Sequence, residues 1–363
     1  MRDQLPLAAA SLRRVVSWSL PTKKETSNMK KNLSIIAAFF AVSPALFAQS
    51  LSVTAPGYTG GKLFDATPGF TITGLAVAPG GEVFYIESDS AYTAPSKLYR
   101  RSAGDGYALA TTLFNFNSTA FGSFVRWESG RVFFGESSTG AIRLLNPDLS
   151  IDALGSVAGN YDAVFSGGSI FLSHNPGGFS PQNKVSRFDL LPDGGGGLML
   201  GSADTIVNTP NDYSGPVAFD AAGNLFYGGS GTYARSDLFR FTAAEVAAAY
   251  GAGPTLSLDP AHLFLANGPN AYLTLDSTGA LWHASFTALD LIDPATAAST
   301  PIGDSTDSIG QLDVAGPTLY ATVTNATFDH SAVFWVVPEP STAALLLTLG
   351  LGALTSRRRQ RKD

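Results

Sequence analysis

The sequence contains no cysteine. That excludes a disulfide framework, cysteine-ligated zinc or iron–sulfur sites, and a cysteine nucleophile. Histidine is scarce: His174, His262, His283 and His330 are the only four, and none stands at the spacing of an H-E-x-x-H helix pair. No serine lies in a G-x-S-x-G context, and neither a phosphate-binding loop nor a dinucleotide fingerprint is present. No apolar run reaches the roughly twenty residues that span a bilayer comfortably. Basic residues are sparse in the body of the chain. Residues 49–337 carry eleven Lys/Arg against twenty-five Asp/Glu, a formal charge of −14. A body this acidic repels phosphate backbones and speaks against a nucleic-acid partner.

What is present points to an all-β protein. Hydrophobic residues make up 45% of the 363, enough for a substantial core in one large domain or two ordinary ones. The 38 glycines and 21 prolines are spread along the chain and favour tight turns between short strands over long helices.

One pattern recurs six times: "GLAVAPGGEVFYIES" (Gly74–Ser88), "SFVRWESGRVFFGES" (Ser123–Ser137), "DAVFSGGSIFLSH" (Asp162–His174), "PVAFDAAGNLFYGGS" (Pro216–Ser230), "YLTLDSTGALWHAS" (Tyr272–Ser285) and "QLDVAGPTLYATV" (Gln311–Val323). Each is an apolar strand, a glycine-containing turn and a strand of aromatic and β-branched residues, the signature of a hairpin. The second strands begin near Val83, Val132, Ile170, Leu225, Leu281 and Leu319, at spacings of 49, 38, 55, 56 and 38 residues. A third strand follows each hairpin, and a fourth follows five of them, from Ala110–Phe116 to Ala298–Ile302. The sixth copy lacks a fourth strand, while "GGKLFDA" (Gly60–Ala66) stands unpaired before the first.

Four-stranded units of this length define a β-propeller. Six blades are expected across residues 49–337, with five or seven as alternatives. The orphan strand Gly60–Ala66 would complete the last blade and close the ring, protecting sheet edges. The stretch "FDAAGNLFY" (Phe219–Tyr227) resembles repeats of NHL-type and gluconolactonase-like propellers. Two inserts interrupt the pattern. "TAAEVAAAYG" (Thr242–Gly251) reads as a short helix with a Thr242/Glu245 capping box, and "LPDGGGGLMLG" (Leu191–Gly201) as a flexible connection.

The two ends read as addresses. Met29-Lys30-Lys31, the apolar run Leu33–Val42 and "SPALFAQS" are the parts of a secretory signal peptide over residues 29–48, cleaved between Ala48 and Gln49. Residues 1–28 then read as a spurious upstream extension, with an unusually long n-region as the alternative. At the other end, Val337-Pro338-Glu339-Pro340-Ser341 precedes the short apolar run Thr342–Leu354 and a basic tail of Arg357, Arg358, Arg359, Arg361 and Lys362. The prolines enforce an extended stretch, the apolar run suits a short helix, and the arginines form a stop-transfer cluster.

This three-part end, residues 338–363 with Val337, resembles the PEP-CTERM sorting signal of Gram-negative bacteria. The resemblance implies export by the Sec translocon, cleavage by signal peptidase, transient anchoring in the inner membrane and processing by an exosortase. It also implies a surface or extracellular destination among exopolysaccharide and matrix. A plain C-terminal anchor is the alternative, but such an anchor has no need of the Pro-Glu-Pro.

In a propeller, the loops between second and third strands gather on one face with the connections into each first strand, and ligands bind there. Aligning the second strands brings Glu87, Glu136 and His174 to equivalent positions, and places His283 near the same face. Asn160, Asp162, Asp212, Asn270 and Asp307 are expected just before first strands. Glu87, Glu136, Asp162 and Asp212 are therefore candidate oxygen ligands for a cation such as Ca2+, of the kind gluconolactonase-like enzymes use. Solvated loop polarity is the other reading of the same residues. Two functions follow. The first is an exported, surface-sorted, non-catalytic propeller that binds or structures matrix polysaccharide or protein. The alternative is a secreted metal-dependent hydrolase such as a lactonase.

Overall fold

The computed structural model describes residues 49–117, 119, 121–177, 183–209, 215–229, 237–266 and 272–339. All belong to one compact unit that begins at Gln49. The chain opens with β1 (Ser52–Val53) and β2 (Tyr58–Asp65). Blade 1 is β3 (Phe70–Val77), β4 (Val83–Asp89), β5 (Lys97–Arg101) and β6 (Thr111–Asn115). Blade 2 is β7 (Gly122–Glu128), β8 (Arg131–Glu136), β9 (Ala141–Leu145) and β10 (Ile151–Ser156). Blade 3 is β11 (Asn160–Ser166), β12 (Ser169–His174), β13 (Asn183–Pro192) and β14 (Leu198–Thr209). Blade 4 is β15 (Val217–Phe219), β16 (Leu225–Gly228) and β17 (Leu238–Phe241). It is completed by β19 (Leu263–Leu265), after helix α1 (Ala243–Ala248) and the short β18 (Leu256–Ser257). Blade 5 is β20 (Tyr272–Leu275), β21 (Leu281–Ser285), β22 (Ala288–Ile292) and β23 (Ser299–Asp304). Blade 6 is β24 (Ser308–Ala315), β25 (Thr318–Thr324), β26 (Ser331–Pro338) and, returning from the N-terminal side, β2.

The six sheets are the six expected blades. Their innermost strands β3, β7, β11, β15, β20 and β24 touch in sequence, and β24 returns to β3, so the ring closes. Closure uses the strand that the repeat left over. β2 pairs antiparallel with β26, from Tyr58 opposite Pro338 to Asp65 opposite Ala332. Two further pairings escaped the repeat pattern because each involves only two residues: β1 adds to β23 in blade 5, and β18 runs parallel to β14 in blade 3.

The core is divided between the blades. Six apolar clusters occupy the six seams, and strand alternation supplies them. Adjacent aromatics in second strands point to opposite faces of the sheet. Phe134 packs toward blade 1 while Phe133 packs toward blade 3. Tyr227 faces blade 3 and Phe226 faces blade 5. At the seam of blades 1 and 2 the sheets come so close that a Cβ on Gly122 would meet Ile86 Cγ2 at 2.5 Å.

The helical insert forms as the sequence dictates. Thr242 caps α1 in a reciprocal capping box with Glu245, whose Oε2 accepts the Thr242 N–H at 2.8 Å. Gly251 follows in left-handed backbone at φ +64°. The glycine-rich insert differs from expectation. β13 runs to Pro192 and β14 starts at Leu198, so only a tight turn remains between them. The Asp193 carboxylate holds that turn, accepting the N–H groups of Gly195 and Gly197 at 2.7 and 2.9 Å. A side chain able to collect several N–H groups makes a glycine run rigid where composition alone suggests slack.

Candidate functional site: the propeller axis

Strand direction fixes two faces. The loops between second and third strands and the connections between blades lie on one, here the loop face. The turns joining first to second and third to fourth strands lie on the other. β26 runs away from the loop face, so Val337, Pro338 and Glu339 leave on the opposite face. There the sorting motif begins while still part of the ring: Pro338 pairs with Tyr58, and the Glu339 N–H donates to Gly57 O at 2.8 Å. Pro340, Ser341, the apolar run and Arg357–Lys362 lie outside the described residues, as do Ala48 and the signal peptide. No helix among the described residues is long and apolar enough to cross a membrane.

The described candidate cation ligands, Glu87, Glu136 and Asp162, have other partners. Glu87 is buried in β4 and accepts the Thr67 N–H at 3.0 Å. Glu136 is buried at the end of β8 and pairs with Arg143 at 3.4 Å. Asn160 and Asp162 lie inside β11 rather than before it, separated by a bulge, so the expected loop position is corrected. Asp212 and Asn270 fall outside the described residues. His174 ends β12 and His283 lies within β21, two blades apart. Burial pushes the His174 imidazole down to about 4, and its Nε2 bonds Ser186 Oγ at 2.8 Å. Among the described residues no three histidines or carboxylates gather as a metal would require.

A different polar cluster sits on the axis. Innermost strands are sheet edges, so some of their backbone groups must find partners across the seams. Arg126 of β7 reaches into blade 3, where its Nε donates to Ala163 O at 2.8 Å and its Nη2 to Asp162 Oδ1. Asp162 Oδ2 accepts the Val217 N–H of blade 4 at 3.0 Å. Asp313 of β24 accepts the Val77 N–H of blade 1 at 2.6 Å, and Gln311 Nε2 donates to Thr73 O at 2.8 Å. The Tyr161 and Tyr272 rings, from blades 3 and 5, stack with centroids 6.0 Å apart. Bulges in β3, β7, β11 and β24 break the ladder beside these residues, a device that re-aims side chains.

The electrostatics follow from the enclosure. Desolvation raises Asp162 above the usual carboxylate range, against the pull of Arg126. It raises Asp313 from 3.8 to about 6, with Arg126 and the Val77 hydrogen bond opposing the rise. Desolvation also lifts Tyr161 well above 10, and Tyr272 upward. Of this cluster, only Asp162 is among the sequence-derived candidates. Arg126, Gln311 and Asp313 carried one signal, polar residues inside otherwise apolar innermost strands. The arrangement is a clasp: a fixed cation, two carboxylates and two phenols that join the blades.

A pH dependence follows. Asp313 holds its proton more tightly folded than unfolded, so its contribution to stability is full below about pH 4, falls as pH rises toward 6 and is flat above. Asp313→Asn keeps an acceptor for Val77 and removes this slope. Thermal melts from pH 4 to 7 are expected to show the wild type losing on the order of 1–2 kcal/mol relative to the variant. Parallel profiles would sink this account.

The fold is thus a six-bladed β-propeller with its axis clasped by side chains, joined to a C-terminal sorting signal. Residues 336–362 match the PEP-CTERM protein-sorting motif. That motif implies an exported protein, sorted to the surface of a Gram-negative cell and processed by an exosortase. Solved structures similar in fold include two from bacteria. One is a gluconolactonase from Xanthomonas campestris, 14% identical, with TM-score 0.54 over 80% of this chain and 95% of that one. The other is a catalytically inactive variant of virginiamycin B lyase from Staphylococcus aureus with quinupristin, 12% identical, with TM-score 0.51 over 77% of this chain and 99% of that one. No curated protein sequence matches this chain.

Proposed function

We propose that this chain is a surface-sorted, non-catalytic propeller that binds or structures the extracellular matrix. The observation that carries the reading is a sorting motif joined to a ring whose axis is clasped by Arg126, Asp162 and Asp313. Such a ring suits a rigid module that presents its loops, and the buried Asp162 and half-buried Asp313 serve to hold blades together. In this reading residues 29–48 direct export, the mature chain starts at Gln49, and the C-terminal run anchors it transiently until an exosortase acts.

Mass analysis of the protein recovered from the matrix of its native host is expected to show Gln49 first and nothing beyond the Pro338–Pro340 region. A mature chain that retains Arg357 to Lys362, or one confined to the cytoplasm, defeats the proposal. So does a Ca2+-dependent lactonase activity lost in Glu136→Gln, which would make the propeller a hydrolase.

A further inference from the structure

We propose that the loop face of blades 5, 6 and 1 binds an uncharged polysaccharide through three exposed aromatic tips, Phe286, Phe328 and Tyr92. The inference rests on the matrix-binding reading and names the surface and the ligand class.

Each residue sits in the loop between the second and third strands of its blade, so all three project from one face of three consecutive blades. Their exposures are 46%, 55% and 56%. Each is held in left-handed backbone, at φ 44°, 56° and 57°. That conformation is costly for a bulky side chain and persists only where the surroundings enforce it. Among the described residues these are the only non-glycine residues in left-handed backbone on this face. On the opposite face the same conformation is taken by Tyr107, Ser129, Leu149 and Ala297, of which Tyr107 packs against Phe64.

The loops are braced to hold the tips. The Asp89 carboxylate collects the N–H groups of Ala91, Thr93 and Ala94 around Tyr92, whose ring rests edge-on against Phe121 at 4.7 Å. Around Phe328, Asp329 accepts from Asn325 Nδ2 at 2.6 Å and Thr327 Oγ1 at 2.7 Å, while Asn325 Oδ1 accepts the Asp329 N–H at 3.1 Å. The two loops are tied through Gly69, which donates to Asp329 O at 2.8 Å and accepts from Ser90 Oγ at 3.4 Å. Phe286 O accepts the Ile309 N–H of blade 6, which fixes the third tip to the same unit.

The chemistry selects the ligand. A sugar ring offers an apolar C–H face to an aromatic ring and hydroxyls around its edge. Here the rings are flanked along their loops by Ser90, Thr93, Thr287, Asn325 and Thr327, so polar residues neighbour each apolar tip. An apolar protein partner would call for a continuous greasy patch instead. The body charge of −14 disfavours a polyanion. Three tips on successive blades fit an extended, repeating chain. The sorting motif leaves from the opposite face, so a ring tethered through it would turn these tips outward.

The test titrates the purified full chain with amylose, dextran, laminarin and cellohexaose, and with alginate as a polyanion. Binding by at least one of the four uncharged glucans is expected, with alginate weaker. The triple variant Tyr92→Gly/Phe286→Gly/Phe328→Gly should lose at least about tenfold in affinity while its Tm stays at or above that of the wild type. Glycine relieves left-handed strain, so a merely structural role for these rings would instead lower the Tm. Four results overturn the inference: no glucan binding, binding unchanged in the variant, alginate bound as well as any glucan, or self-association that the variant abolishes. Unchanged binding in the variant removes this surface but leaves the matrix reading standing, because recovery from the native matrix is measured separately.

Discussion

Phe64→Ala is expected to lower stability by about 3–5 kcal/mol, a fall in Tm of roughly 10 °C. Phe64 belongs to β2, the N-terminal strand that completes blade 6, and it is 7% exposed. Its ring packs on Tyr85 of blade 1 at 5.1 Å and lies under the Arg101 guanidinium at 4.4 Å. The side chain therefore closes two things together, the outer edge of blade 6 and the seam between the last blade and the first. Truncation leaves a cavity, removes a cation–π contact and loosens the strand that ties the chain ends. Deleting residues 60–66 should have a larger effect, because the β26 edge then loses most of its partner and the ring can open. Chemical denaturation of the three proteins measures the order. A Phe64→Ala variant as stable as the wild type would show that closure does not depend on this strand.

Arg126→Ala is expected to cost a similar amount, about 3–5 kcal/mol, for an electrostatic reason. The substitution leaves the Asp162 carboxylate enclosed without its cation, and a buried charge stripped of its partner is far more costly than the pair itself. It also frees the Ala163 carbonyl that Arg126 holds. Adding Asp162→Asn should recover part of the loss, because the amide carries no charge to leave unpaired and its single oxygen can still accept one of the two N–H groups, of Val217 and Ala163, that the carboxylate oxygens accept separately. The single variant should also steepen the fall of stability with rising pH, since Asp162 then loses the group that opposes its desolvation. A double variant no more stable than Arg126→Ala would mean that the guanidinium acts through packing alone. The effects at Phe64 and Arg126 should add, because the two belong to different seams.

Most of the architecture was legible because it rests on local order. Strand, turn and strand recur within about fifteen residues, and alternation sends neighbours such as Phe133 and Phe134 to opposite seams. The leftover strand at Gly60–Ala66 and the missing fourth strand of the last repeat implied closure. The Thr242/Glu245 capping box was legible for the same reason, since its parts are three residues apart. The two-residue strands β1 and β18 were not legible, because two residues carry no period.

The loop polarity was legible but its use was not. Aligning repeats placed Glu87 and Glu136 at matching positions, yet each is engaged within its own neighbourhood, by Thr67 and Arg143. The axial clasp joins residues 36 positions apart in Arg126 and Asp162, and 236 apart in Val77 and Asp313. No period links such positions. Likewise, the repeat pattern puts the aromatics at residues 92, 286 and 328 in loops of one face but does not show that they are exposed and held in left-handed backbone. By itself the sequence determined the strands, the six repeats, the closing segment and the C-terminal sorting motif, because each depends on residues close along the chain. Only the tertiary structure decided which polar groups meet on the axis and which loop aromatics stand exposed in left-handed backbone. Those neighbours come together only when six sheets are rotated about a common axis.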